Sequence, residues 1–145
     1  MHPLIFCDVD GVLNTRPGSL DRDKIDQLAH ICRMTGCQIV LSSSWRTVPH
    51  QLLRLNRVFL SVGIRMAGMT PDLTYVAGAG GLLAARHRWE EINHWLGSHH
   101  GQYGKVVILD DQSDMGPLQA LLVQTESHVG LTDEITNQII NLFNK

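Results

Sequence analysis

The chain has 145 residues, of which 43% are hydrophobic and 18% are charged, and its formal net charge at pH 7 is −2. A length and composition of this kind predict a single globular domain over residues 1–145. They exclude a disordered chain, a disulfide-rich miniprotein and a protein that binds nucleic acid through overall positive charge alone.

Further properties of the sequence concern its compartment. No uninterrupted apolar run approaches the roughly 20 residues of a membrane helix, and acidic residues occur within the first ten positions, where a signal peptide would still be apolar. The three cysteines form neither a CxxC motif nor an even set of pairs. We therefore expect a cytoplasmic protein with reduced thiols that does not interact with a membrane.

The first part of the chain predicts two strands, each followed by a helix. Residues 4–9 form an apolar run of strand length that stops at Asp10 and Gly11. Residues 21–35 predict a helix because apolar residues recur at helical spacing, and Gly36 stands where a C-terminal cap belongs. Residues 38–41 predict the second strand and residues 49–60 the second helix.

The remaining elements continue this alternation. A short strand is expected near Ile64 and a third helix over residues 86–96, followed by strands over 105–109 and 121–123. Thr132 is a plausible N-cap for a terminal helix that runs to Phe143. Strands that alternate with helices predict an α/β domain, a three-layer sandwich whose mostly parallel central sheet is covered on both faces.

Three of the predicted strands end in polar residues. Asp8 and Asp10 close the first strand, Ser42 begins a run of serines after the second, and Asp110 and Asp111 close the strand over 105–109. Open parallel sheets bind ligands at the carboxyl ends of their strands, so the three clusters should meet. Aspartates after strands also form turns, but the combined pattern favours a binding site.

Four aspartates in one cleft require a counter-charge. Like charges this close cannot all stay ionised without a cation. Oxygen ligands without an accompanying cysteine or histidine favour Mg²⁺ over zinc. We therefore expect a magnesium site among Asp8, Asp10, Asp110 and Asp111.

Several segments resemble the motifs of the haloacid dehalogenase (HAD) phosphohydrolase superfamily, in the same order. Residues 8–14 (DVDGVLN) are similar to its first motif, residues 39–42 (IVLS) to its second and residues 107–111 (VILDD) to its acidic fourth. Arg88, or alternatively Arg86, stands where the family places a basic residue that is more commonly lysine. The segments SSSWR, 88–96, 110–115 and 130–132 are similar to the short HAD domains of RNA-repair proteins.

The resemblance implies a Mg²⁺-dependent phosphomonoester hydrolase that works through an aspartyl-phosphate intermediate. Asp8 is the expected nucleophile, and Asp10 the expected general acid and then general base. Ser42 is expected to hold phosphoryl oxygens, and Arg88 to supply positive charge to the transition state. The metal ligands implied are oxygen atoms of Asp8, the main-chain carbonyl of Asp10, and Asp111 or Asp110.

The spacing of the motifs leaves no room for the cap domain that many superfamily members carry. Fewer than 30 residues separate Asp10 from the second strand, and about 16 lie between Thr70 and Arg86. An uncapped site admits bulky phosphoesters such as RNA or DNA ends or phosphoproteins, whereas a small metabolite would be poorly shielded from water. A second subunit can also act as a lid.

The expected substrate contacts surround these motifs. Trp45 could stack on a base, and Arg46 could pair with a second phosphate; alternatively, Trp45 lies in the core beneath the second helix. A non-catalytic binding module of the same fold is a further alternative, but a module that only binds anions would gain from losing the aspartates. The candidate substrate-binding residues are Asn14, Ser43, Trp45, Arg46 and Arg86, together with the loop over 66–85.

Overall fold

A five-stranded sheet with helices on both faces forms the part of the chain that the computed structural model describes, residues 1–73 and 87–145. The strands are β1 (Leu4–Cys7), β2 (Gln38–Leu41), β3 (Met66–Met69), β4 (Val106–Asp110) and β5 (Leu122–Gln124). The α-helices are α1 (Arg22–Thr35), α2 (Pro49–Val62), α3 (Arg88–Ser98) and α4 (Asp133–Phe143). Two 3₁₀ helices cover Ser44–Thr47 and Gly116–Leu121.

Strand β1 occupies the centre of the sheet. The strand order is β3-β2-β1-β4-β5, and every pairing is parallel. Leu4 lies opposite Gln38 on one side and Val106 on the other. Because β2, β1 and β4 are neighbours that run in the same direction, their carboxyl ends lie side by side, and the predicted parallel sheet is confirmed.

Each face of the sheet buries its own apolar cluster. Successive side chains of β1 point to opposite faces, so Ile5 packs with residues of α1, α2 and α4, whereas Phe6 packs with residues of α3 and the second 3₁₀ helix. Phe6 also meets the ring of Trp95 from α3 edge-on, with ring centroids 5.4 Å apart. The predicted three-layer sandwich is therefore confirmed.

The ends of two helices follow signals in the sequence, whereas α2 extends two residues past its predicted end and α3 covers Arg88–Ser98 rather than 86–96. Gly36 ends α1 in the left-handed conformation with φ 72°, and the Thr132 side chain accepts a hydrogen bond from the Ile135 N–H at the start of α4. The strand expected near Ile64 begins two residues later, at Met66. The reason is that Ile64 completes the end of α2, where its N–H donates to the Phe59 carbonyl and its side chain is buried.

The two positions at which a cap domain would be inserted hold short segments. The loop over 8–21 packs on the domain itself, since Val12 and Leu13 are fully buried and the Asp21 N–H donates to the Leu13 carbonyl. The connection between β3 and α3 spans 70–87, of which 74–86, including Arg86, lies outside the described residues. Within the described part of the chain, every helix is too short or too polar to cross a bilayer.

Candidate active site

Backbone hydrogen bonds bring the ends of the three central strands together. Asp8 directly follows β1, and its N–H donates to the Leu109 carbonyl of β4 at 3.0 Å. The Ser42 N–H, just after β2, donates to the Cys7 carbonyl at 2.9 Å. The convergence expected at the carboxyl edge of the sheet is therefore present.

Three carboxylates form a cluster at this edge. Asp8, Asp110 and Asp111 each offer an oxygen, and these oxygens lie within 4.8 Å of one another. Asp8 and Asp110 are buried, whereas Asp111 is half-buried. A donor set made only of carboxylate oxygens fits Mg²⁺. Both aspartates of the fourth motif belong to the cluster, so either can serve as the ligand.

Arg88, at the first position of α3, lies between two of these carboxylates. Its Nη1 is 2.9 Å from Asp8 Oδ2 and 3.0 Å from Asp110 Oδ2. Its side chain is largely buried, with 16% of its surface exposed. Among the described residues, one guanidinium therefore belongs to a cluster of three acidic groups, which carries excess negative charge when all three are ionised.

Burial and neighbouring charges shift the pKa values of these groups. The pKa of Asp8 is raised to about 8, chiefly because burial disfavours its charged form and next because Asp110 lies beside it, while Arg88 opposes the rise. Burial also raises the pKa of Asp110. Burial alone would lower the pKa of Arg88, but the two carboxylates raise it above its ordinary value. Burial of these carboxylates therefore favours uptake of a proton by the metal-free cluster, and a bound cation would oppose that uptake.

Ser42 presents an unpaired polar atom at the same edge. Its side chain is buried, and its Oγ has no hydrogen-bond partner among the described residues. A buried hydroxyl without a partner is uncommon in a folded protein and marks a place where a ligand atom can bind. A phosphoryl oxygen is an acceptor of the kind that this hydroxyl lacks.

Asp10 is held by three donors that all meet one of its oxygens. Its Oδ1 accepts hydrogen bonds from Asn14 Nδ2 at 2.8 Å, from the Gly18 N–H at 3.1 Å and from Trp45 Nε1 at 3.1 Å. A small cleft of about 200 Å³ opens beside Asp10 and Asp111. A separate cavity of about 500 Å³ lies against β4, β5 and α4 and contains none of these residues.

The arrangement of motifs has a counterpart among known proteins. The family model of the HAD domain in Swiss Army Knife RNA repair proteins matches residues 4–135. The chain belongs to this family. Searches of curated proteins and of solved structures give no significant match. Membership confirms the superfamily expected from the motifs, and it supports phosphatase chemistry of the HAD type.

Within this HAD domain, Trp45 does not occupy the exposed position that base stacking needs. Its side chain has no exposed surface, and it belongs to the same apolar cluster as Leu55 and Phe59 of α2. The indole ring is thus closed off from a nucleic-acid base. The structure places it in the core, as the alternative interpretation of the sequence held.

Arg46 is likewise engaged within the HAD domain. Its Nη2 lies 2.8 Å from Glu91 Oε2, and its guanidinium also donates to the carbonyls of Thr70, Ser43 and Pro71. The side chain is only 8% exposed. Arg46 therefore fastens the turn after β2 to α3, and it has no free face for a second phosphate.

The other expected substrate contacts in the HAD domain also have internal roles. Asn14 is fully buried and bridges Asp10 and the Gly11 N–H, while the Ser43 Oγ accepts from the Trp45 N–H and caps the 3₁₀ helix. Arg86, the remaining candidate, lies outside the described residues. Asn14 nevertheless lines the cleft beside Asp10, together with residues that were not predicted: Thr15, Pro17, Ser127 and His128.

Two buried residues of the site were not predicted. Glu91 accepts hydrogen bonds from Arg46 and from the Leu73 N–H. Thr125, just after β5, donates its hydroxyl to the Gly11 carbonyl at 2.6 Å and so ties the first motif to the edge of the sheet. No motif signals either residue, because each acts through a partner that only the fold brings near.

Proposed function

We propose that this HAD domain is a Mg²⁺-dependent phosphomonoester hydrolase that acts on the phosphorylated ends of RNA or DNA. The observation that carries the proposal is the largely buried cluster of Asp8, Asp110 and Asp111, in which Arg88 supplies the one guanidinium found among the described residues. A site with this excess of negative charge binds a cation, and a cation beside a carboxylate nucleophile is what phosphoryl transfer needs.

The first half of the reaction transfers the phosphoryl group to Asp8. A carboxylate oxygen of Asp8 forms a bond to phosphorus as the bond between phosphorus and the leaving oxygen breaks. Asp10 donates a proton to that leaving oxygen. The Ser42 hydroxyl and the Arg88 guanidinium stabilise the phosphoryl oxygens as their charge develops.

The second half releases phosphate. Asp10, now ionised, takes a proton from a water molecule whose oxygen attacks phosphorus, and the bond between phosphorus and Asp8 breaks. When bound by Asp8, the Asp10 carbonyl and Asp110 or Asp111, Mg²⁺ neutralises the repulsion between carboxylate and phosphate. Asp8 is thereby restored, and the domain is ready for another substrate.

The choice of substrate rests on access and on the family. The segments around the site are too short for a cap domain, and the cleft beside Asp10 is open to solvent on the side of exposed Ser127 and His128. An open site of this kind admits a large phosphoester. The match to HAD domains of RNA repair proteins favours a nucleic-acid end over a phosphoprotein or a small phosphometabolite.

The test is phosphate release from matched oligonucleotides that carry a phosphate at the 3′ or the 5′ end. We expect Mg²⁺-dependent release from one end, and none from the Asp8→Asn variant. Hydrolysis of an aryl phosphate without release from either oligonucleotide would keep the chemistry and refute the nucleic-acid substrate. Absence of both activities would favour a binding module of the HAD fold.

A further inference from the structure

We propose that Trp45 is a positioning residue for Asp10, and that it fixes Oδ2 of Asp10 as the atom that gives and takes the proton. The inference deepens the proposed function and rests on it. It assigns a role in the reaction to a core tryptophan that contacts neither substrate nor metal.

The donors around Asp10 distinguish its two oxygens. Asn14 Nδ2, the Gly18 N–H and Trp45 Nε1 all donate to Oδ1, and none of the three can accept a proton back. The orientation of the Asn14 amide follows from its other end, where Oδ1 accepts from the Gly11 N–H. A proton on Oδ1 of Asp10 would displace a donor, so the protonated carboxyl carries its proton on Oδ2.

Trp45 differs from the other two donors in where it comes from. Asn14 and Gly18 lie on the same loop as Asp10, whereas Trp45 follows β2 and is 35 residues away in the sequence. Full burial immobilises the indole ring of Trp45, and the main-chain N–H of the same residue donates to the Ser43 Oγ. Among the described residues, Trp45 is therefore the donor that holds Asp10 against the strand end that carries Ser42.

The hydrogen bond from Trp45 to Asp10 matters because Asp10 must deliver its proton to the leaving oxygen, whose position depends on other residues. Ser42 and Asp8 set the position of the phosphoryl group, and Asp10 must present Oδ2 to the leaving oxygen of that group. The Oδ2–H bond breaks as the leaving oxygen gains the proton, and Oδ2 later regains a proton from the attacking water. A displacement of about 1 Å in such a geometry can cost about 100-fold in rate.

The test is the Trp45→Phe variant with two aryl phosphates in Mg²⁺. The leaving group of 4-nitrophenyl phosphate departs with little need of a proton, whereas that of phenyl phosphate needs one. We expect kcat/KM to fall about 10- to 100-fold for phenyl phosphate and less than about threefold for 4-nitrophenyl phosphate. The ratio kcat/KM is the right quantity because it covers only the steps up to the departure of the leaving group.

Two controls separate positioning from packing. Phe59→Leu reduces a buried aromatic of the same cluster that donates no hydrogen bond to Asp10, and it should leave the ratio of the two kcat/KM values unchanged. If Trp45→Phe does not fold, 3-benzothienylalanine at position 45 keeps the shape of the indole and removes only its N–H. We expect that replacement to reproduce the selective loss on phenyl phosphate.

The outcomes are distinct. An equal loss on both substrates, or no loss on either, would overturn the positioning role while leaving the proposed hydrolase intact. A wild-type protein that releases phosphate from neither the aryl phosphates nor the phosphorylated oligonucleotides would overturn the proposed function and the positioning role together.

Discussion

Arg46 and Arg88 are both largely buried, but their surroundings differ in charge. Arg46 meets one carboxylate, that of Glu91, and three main-chain carbonyls, so its pair is neutral and fully hydrogen-bonded. Arg88 lies between Asp8 and Asp110 with Asp111 close by, so its surroundings stay negative. A buried ion pair whose charges balance has a structural role, whereas a buried cluster with unbalanced negative charge favours the binding of a cation.

The two arginines are also connected. Glu91, which binds Arg46, lies one turn after Arg88 on α3, so the matched pair anchors the helix that presents the unmatched arginine. The charged residues that fix this helix are therefore different from those that form the cluster. We therefore expect substitutions in the pair to change mainly the free energy of unfolding, and substitutions in the cluster to change mainly the activity.

The largest effect is expected at the unmatched cluster. Asp8→Asn removes the proposed nucleophile and should lower phosphatase turnover by at least about 10³-fold, as loss of a nucleophile does in other enzymes. Release of phosphate in the presence of Mg²⁺ measures it. Asp26→Asn, on the exposed surface of α1, is the matched control and should retain full turnover. Substantial turnover by Asp8→Asn would disprove covalent catalysis by this residue.

The matched pair should respond in stability. Arg46→Met leaves Glu91 buried without its partner and should lower the free energy of unfolding by about 3–5 kcal/mol in urea titrations. Arg46→Met combined with Glu91→Leu should recover much of that loss. Arg22→Met breaks an exposed pair with Asp26 and should cost less than about 1 kcal/mol. A double variant as unstable as the summed single variants would refute the coupling.

The pH dependence of the free energy of unfolding tests the unbalanced cluster around Arg88 independently of catalysis. The pKa of Asp8 is raised from 3.8 to about 8 in the folded protein, chiefly by burial, so between these values the folded state holds a proton that the unfolded chain has released. The stabilisation is full below about pH 3.8 and is lost as pH rises through about 8.

Urea titrations of the metal-free protein at a series of pH values should therefore show the free energy of unfolding falling by a few kcal/mol across this window. Asp8→Asn should reduce the slope to the part that Asp110 contributes, since burial also raises the pKa of that carboxyl. An unchanged slope in that variant would show that Asp8 does not carry the raised pKa.

A smaller effect is expected at the third carboxylate. Gly11 has φ 83°, and a Cβ at this position would contact the carboxylate of Asp111. Gly11→Ala should weaken Mg²⁺ binding about 10- to 100-fold, which calorimetric titration with MgCl₂ measures. Gly36→Ala imposes similar backbone strain at φ 72° in open space and should leave the affinity unchanged. Equal affinities in both variants would argue against Asp111 as a contributor to the site.

The sequence predicts those parts of the fold that depend on local pattern. Strand β2 matches its predicted bounds because a short apolar run between polar residues limits where a strand can begin and end. The glycine cap of α1 and the threonine cap of α4 were predicted because these residues favour the conformations and hydrogen bonds of helix ends. The meeting of Asp8, Ser42 and Asp110 follows from parallel topology alone.

What the sequence misses depends on distant partners. An arginine after a strand looks the same whether it faces solvent or the core, so the burial of Arg46 becomes apparent only with Glu91 in place. For Trp45 the sequence offers both a core position and a position that contacts substrate, and only the packing against α2 decides for the core. Glu91 itself reads as an ordinary acidic residue in the first turn of a helix. Such pairings require the tertiary structure.

Strand β1 is the first strand of the chain and the middle strand of the sheet. Asp8 consequently gains its neighbours only when residues 38–41 and then 106–110 have joined on either side. Pairings so distant in the sequence form late and slowly. During synthesis, Asp8 therefore precedes both strands that flank it in the finished sheet, and the candidate site is complete only after residues 106–110 have been made.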